Sequence, residues 1–171
     1  TALDGAFWGV SGVILYGTLV KTYNLSILQV GIMQSIALVS NMCSLLPMGI
    51  LIQRYGCKGF MMLTWVFVIS MFTGLLTFTS FEAIAALQIL EGLILSAWML
   101  SIKTFLSNRV LERSRAEAFG KLSSFKALIR FPAPYIGGIL YDNWGFTAPI
   151  TTGLVGAILT LAAIFMVIRE Q

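Results

Sequence analysis

Histidine is absent from this chain, cysteine occurs only twice, and charged residues fill just 11% of the positions. Each shortage excludes something. Without imidazole there is no Ser/His or Cys/His nucleophile pair, and the common zinc sites lose their usual ligand. Cys43, in an apolar run, and Cys57, beside Lys58, have neither the number nor the spacing of a disulfide frame or a metal site, so both read as packing or surface thiols. No metal and no cofactor is expected. Tyr141-Asp142 has only the form of half an intramembrane aspartyl pair: Asp142 falls between hydrophobic stretches, and the other aspartate, Asp4, has no Gly-x-Gly-Asp around it. Catalysis is not expected.

What fills the chain instead is apolar. Hydrophobic residues make up 58% of 171 positions and the mean hydropathy is +0.90, well outside the mix of a soluble domain. A helix crossing the hydrocarbon of a bilayer needs roughly 20 mostly apolar residues. Such stretches recur with short polar breaks and predict six spans, near 4–21, 26–52, 59–79, 83–107, 117–141 and 146–168. Residues 59–79 and 146–168 are almost continuously apolar, whereas strands of a membrane barrel alternate. Backbone groups in lipid must then be satisfied within helices. The expected fold class is an all-α membrane protein, a single six-helix transmembrane bundle over 1–171. Hydrophobic sequence follows Thr1 at once with no basic signal-peptide n-region, which predicts a processed chain or part of a longer one.

The charges that remain set an orientation. One side holds Arg54, Lys58, Arg109, Arg113, Arg115, Lys121 and, past the last span, Arg169, whereas the other holds Lys21 alone. The positive-inside rule places the first side, with both termini, in the cytoplasm of a cell or inner membrane. The excess of 11 basic over 7 acidic residues is thereby an orientation signal, and nucleic acid is not an expected partner. The aromatics Trp8, Tyr16, Tyr23, Trp65, Tyr135, Tyr141 and Trp144 fall mostly near span ends, as interface anchors do.

Ionisable groups inside the spans cost at least about 2.5 to 3.5 kcal/mol at the bilayer centre and need protein partners or a water-filled cavity. Lys126 and Arg130 are four apart, hence on one face of the fifth span, and can clamp an anion. Glu91, in the fourth span, is a candidate proton carrier or the counter-ion of Arg130. Trp98, seven residues on and on nearly the same face, is placed to border a binding site. Lys103 is near enough to a span end to snorkel, and the depth of Asp4 depends on what precedes Thr1. Gln34, Asn41 and Ser44 form a polar stripe on the second span that either lines a cavity or bonds a neighbouring helix. Gly49, Gly137 and Gly138 suit close helix crossings, and Pro47, Pro132 and Pro134 bend the spans.

Three stretches resemble one family. Gly49-Ile-Leu-Ile-Gln-Arg-Tyr-Gly-Cys-Lys58 is similar to the loop signature of the major facilitator superfamily, G-x-x-x-D-R-x-G-R-K, matching at Gly49, Arg54, Gly56 and Lys58, with Tyr55 of the expected aromatic type. Gln53 stands where the signature has Asp, and Cys57 where it has Arg. Arg130 to Gly138 resembles the family's proline and double-glycine stretch, and Gln88-Ile-Leu-Glu-Gly92 its R-x-x-Q-G, with Gln88 in place of Arg. The resemblance implies one six-helix half of a twelve-span fold, and the lost Asp and Arg with the ending Val167 to Gln171 point to the C-terminal half. It implies a secondary active transporter moving a small solute by alternating access between two bundles. Gln53, Arg54 and Lys58 would then be gating residues; Glu91, Lys126, Arg130, Trp98, Gln34 and Asn41 candidate substrate or proton contacts. The basic residues within the spans point to an organic anion coupled to protons. Its partners would be the solute, a coupling proton or ion, lipid, and a second six-helix half from the same parent chain or a second copy. The rival reading is a membrane sensor or assembly subunit that keeps the fold without transport.

Overall fold

The computed structural model describes residues 2–167 of the 171; Thr1 and 168–171, including the expected cytoplasmic Arg169 and the ending used to choose a half, lie outside the described residues. Every regular element among the described residues is helical: α1 (Ala2–Ser11), α2 (Leu15–Tyr23), α3 (Ile27–Tyr55), α4 (Cys57–Thr77), α5 (Phe81–Arg109), a 3-10 turn (Glu112–Ser114), α6 (Arg115–Arg130), α7 (Ala133–Trp144) and α8 (Thr147–Val167). Four of these, α3, α4, α5 and α8, are long and apolar enough to cross a membrane. They coincide with the second, third, fourth and sixth expected spans.

The other two expected spans are each broken. Residues 4–21 become α1 and α2, parted at Gly12 to Ile14, where Gly12 lies so close to the Trp8 ring that a Cβ there would sit 2.7 Å from it. Residues 117–141 become α6 and α7, parted at Phe131 and Pro132; Pro132 occupies the N-cap of α7, where a missing N–H costs nothing. Pro47, by contrast, lies inside an unbroken α3.

Local chemistry sets the turns. Ser26 and Gln29 form a reciprocal capping box at the start of α3, Ser26 Oγ accepting from Gln29 N (3.2 Å) and Gln29 Oε1 from Ser26 N (2.8 Å). A single residue, Gly56, joins α3 to α4 at φ +87° and ψ 158°, a region open essentially to glycine alone. The loop signature is thus mostly helix: Gln53 and Arg54 belong to α3, and Lys58 to α4.

The core gathers on α4, whose Trp65, Val68, Met71, Phe72 and Leu75 are buried against Leu15 and Leu19 of α2, Ile84 and Ile94 of α5, and Ile150 and Ala157 of α8. The α3 helix packs chiefly on α5. Its outer face leaves Ile27, Leu28, Leu38, Val39, Met42, Leu46 and Ile50 exposed. The α1 helix runs beside α6, α7 and α8, Gly9 opposite Ala133 and Gly137 opposite Val10.

Candidate functional site

One ion pair lies at the heart of the chain's charged chemistry, and sequence reasoning had found half of it. Lys126 Nζ lies 2.8 Å from Asp4 Oδ2, with side chains 25% and 12% exposed. Trp98 Nε1 donates to the same oxygen at 3.1 Å, and the Lys126 ammonium sits 5.7 Å from the centroid of the Trp98 ring. Asp4 therefore accepts two hydrogen bonds while Lys126 has a carboxylate and an aromatic face for its charge. Asp4 is brought to this level because α1 lies along α6, Gly5 beside the Lys126 carbonyl.

These groups open on a cavity of about 260 Å³, walled by Trp8, Thr64, Trp65, Trp98, Met99 and Arg130 besides the pair itself. Trp65 and Trp98 meet edge to face with centroids 5.4 Å apart. Trp65 Nε1 is buried without a hydrogen-bond partner among the described residues. Arg130 reaches the wall from an exposed position on α6 and forms no ion pair among the described residues. The expected Lys126 and Arg130 clamp thus faces one cavity, as the spacing of four requires, with one cation engaged and one free. Trp8 and Trp65, expected as interface anchors, are instead parts of the interior: Trp8 packs on Phe72 at 6.1 Å.

Glu91 is elsewhere. Of its two expected roles, proton carrier or counter-ion of Arg130, the second does not form: Glu91 is met by Tyr16, whose hydroxyl lies 2.9 Å from Glu91 Oε2 and 2.9 Å from Gln88 Oε1. Gln88 is fully buried and Glu91 is 8% exposed. The seven residues from Glu91 to Trp98 correspond to about 10 Å along α5 at about 1.5 Å per residue. The physical reason for the correction is the break in the first span: α1 brings Asp4 to the cavity and α2 brings Tyr16 to Glu91.

Two members of the polar stripe on α3, Asn41 and Ser44, bond at the contact with α5. Asn41 Nδ2 donates to the Gly92 carbonyl (3.4 Å), Ser40 Oγ to that of Ile89 (2.9 Å), and Ser96 Oγ to Ser44 Oγ (3.1 Å), while Ser44 also bonds the Ser40 carbonyl. Gly92 permits this crossing, since a Cβ there would lie 2.5 Å from the Ala37 carbonyl and 2.6 Å from Asn41 N. Asn41 is therefore placed at the α3–α5 contact and Gln34 is exposed; neither lines the Asp4–Lys126 cavity. A wider apolar groove of about 860 Å³, lined by Ile27, Leu28, Ile32 and Val39 on α3 with Ile89 on α5, lies on the outer side of the same contact.

The motif residues divide. Gly137 packs where a Cβ would be 2.1 Å from the Val10 carbonyl, whereas a Cβ on Gly138 or Gly49 would meet nothing within 4 Å among the described residues, where no close crossing forms at those two. Pro134 lies in the first turn of α7. Around the loop signature, the Arg54 guanidinium sits over the Tyr55 ring (5.5 Å) and Lys58 Nζ over Phe165 (5.8 Å), with Gln53 exposed; no ion pair forms on Arg54 or Lys58 among the described residues. Cys43 and Cys57 are free thiols. Lys103 is exposed.

Asp4 and Tyr16 are the participants that sequence reasoning left out of the site. Asp4 had one signal, a carboxylate inside an apolar stretch; Tyr16 had none, because hydroxyl contacts across helices leave no periodic trace. No curated protein matches the chain. The sequence profile of the Major Facilitator Superfamily matches residues 1–171. An all-helical chain with four apolar helices long enough to cross a membrane and the three motif stretches agrees with that match, and the chain belongs to the Major Facilitator Superfamily, whose members are multi-pass membrane transporters of small molecules.

Proposed function

We propose that the chain is a six-span bundle of a secondary active transporter for a small organic anion, with its solute site in the cavity beside Asp4 and Lys126. The observation that carries this is the arrangement of charge at the cavity: one carboxylate, already engaged by Lys126, against two cations, which leaves the Arg130 guanidinium free for a ligand's carboxylate or similar anion. Tryptophan walls suit an apolar body, and the unpartnered Trp65 N–H at the wall is a spare donor. In this reading α1 with α2, and α6 with α7, each cross the membrane as a broken span. Discontinuous spans around a binding site are a recurring feature of transporters.

A second bundle completes the path. Support comes from α6, which carries Lys121, Ser123, Ser124, Lys126 and Arg130 yet has no fully buried residue, a composition that suits a water-filled passage rather than acyl chains. The bundle would rock against its partner, from the same parent chain or a second copy, with the basic ends of α3, α4 and α5 in the cytoplasm. Glu91 is the group proposed to couple a proton to the anion.

The test is uptake into proteoliposomes containing the full-length protein under an imposed proton gradient, with benzoate, lactate and succinate as probes. Gradient-dependent uptake of at least one, lost in Arg130→Gln, is expected. No gradient-dependent flux of any of them would overturn the anion reading; flux unaffected by Arg130→Gln would remove the cavity from it.

A further inference from the structure

Glu91, Tyr16 and Gln88 form a closed hydrogen-bond count, and the count leaves a proton to be assigned. The Tyr16 hydroxyl has one hydrogen to give and lone pairs to receive. Two acceptor oxygens face it at the same distance, Gln88 Oε1 and Glu91 Oε2, each 2.9 Å away. The Gln88 amide orientation is tied down at its other end, where Nε2 donates to the Ile84 carbonyl at 3.4 Å. Turning the amide over would set its oxygen against that carbonyl. Gln88 is fully buried, so water cannot satisfy its oxygen instead. Tyr16 then donates to Gln88, and its contact with Glu91 can be a hydrogen bond only if Glu91 is the donor.

We propose that Glu91 carries a proton in this conformation, donated to Tyr16 Oη, and that Gln88 acts as the latch that holds it there. The trio has a second arrangement, reached at a cost. The proton leaves Glu91 for water, the Tyr16 hydroxyl turns its hydrogen to the resulting carboxylate, and the Gln88 amide gives up its bond to the Ile84 carbonyl and turns so that Nε2 donates to Tyr16 Oη; that lost bond is what favours the protonated arrangement. Binding a proton on Glu91 reverses each step. The orientation of one buried amide is therefore linked to the charge of one buried carboxyl, which deepens the transport reading above and rests on it only for its purpose.

No other ionisable group is engaged with Glu91 among the described residues. From Gly59 to Thr77, α4 has none. On α3, Cys43 is exposed, and Arg54 and Tyr55 stand at the helix end. On α2, Lys21 bonds Asp142 at the surface, 3.4 Å away. On α1 and α6, Asp4 and Lys126 neutralise one another, and Arg130 lines the cavity beside Trp98 with no ion pair to Glu91 among the described residues; α5's own Glu82 and Lys103 are exposed.

Infrared spectroscopy of the full-length protein in lipid vesicles at neutral pH reads this directly, through the carbonyl stretch of a protonated carboxyl group. A band that shifts on exchange into heavy water is expected in the wild type and lost in Glu91→Gln. In Gln88→Leu the Tyr16 hydrogen is freed to meet Glu91, so the band weakens at the same pH, and Tyr16→Phe shifts its frequency because the acceptor for the Glu91 proton is gone. No such band in the wild type, or a band that survives Glu91→Gln, overturns the proposal; a band indifferent to Gln88→Leu overturns the latch. Because the spectrum needs no solute, a chain with the band and no flux would lose the transport reading and keep this one, and a chain with flux and no band the reverse.

Discussion

Neutralising Asp4 should strand Lys126, and the size of the effect can be worked from the geometry. At 2.8 Å, with the effective dielectric constant near 20 that suits protein sites, the gross attraction is about 6 kcal/mol. Desolvation offsets part of it, and Lys126 is a quarter exposed and keeps the Trp98 ring beside it. Removing one partner of a buried pair costs about 3 to 5 kcal/mol, and this pair belongs at the lower end. In Asp4→Asn, the side chain still accepts from Trp98, so the loss reports the charge and not the shape. Unfolding in mixed micelles should show a loss of about 3 kcal/mol for Asp4→Asn, most of it recovered in Asp4→Asn combined with Lys126→Met. That double variant should fold and fail to accumulate anion in proteoliposomes. A coupling energy in the range of exposed pairs, below about 1 kcal/mol, would refute the view that this pair is an interior one.

Other outcomes follow from individual contacts. Gly92→Ala drives a Cβ into the backbone of Ala37 and Asn41, so thermal unfolding should report a loss of about 1 to 3 kcal/mol, while Gly49→Ala, which meets open space, should change stability little. The same assay should separate Gly137→Ala, which meets the Val10 carbonyl, from the tolerated Gly138→Ala. Gly56→Ala places a Cβ at φ +87° and should cost about 1 to 3 kcal/mol. Trp98→Phe removes the indole donor to Asp4 but keeps a ring beside Lys126, so anion uptake should weaken without loss of folded protein, read as uptake per unit of monodisperse protein on a sizing column.

Hydropathy made the long helices legible. The apolar runs behind α3, α4, α5 and α8 are long and nearly charge-free, and a run of that kind has one stable conformation in lipid. The breaks between α1 and α2 and between α6 and α7 were less visible because hydropathy averages over them. The interruption at Gly12 to Ile14 contains two apolar residues, and nothing in their chemistry marks a break that Trp8 packing decides. At Phe131 and Pro132 the proline did mark one. Motif glycines misled in the opposite direction: Gly49 and Gly138 stand in the family stretches but touch nothing, whereas Gly92, quoted for its motif alone, makes the tightest crossing of α3 on α5.

The site shows where spacing stops being informative. Positions four apart on one helix share a face, and Lys126 and Arg130 do open on one cavity. Positions seven apart share a face too, which is why Glu91 and Trp98 read as one site. A shared face is not a shared level. Each meets whatever neighbouring helix passes at its own height, and because residues 2–23 form two helices and not one, Trp98 meets Asp4 on α1 while Glu91 meets Tyr16 on α2. Those partners are 94 and 75 residues away in the chain, a separation no local period can encode. The α5 helix thus presents Glu91 and Trp98 to two segments joined by the turn at Gly12 to Ile14, so in the proposed mechanism a rotation at that turn would alter the contacts of both at once.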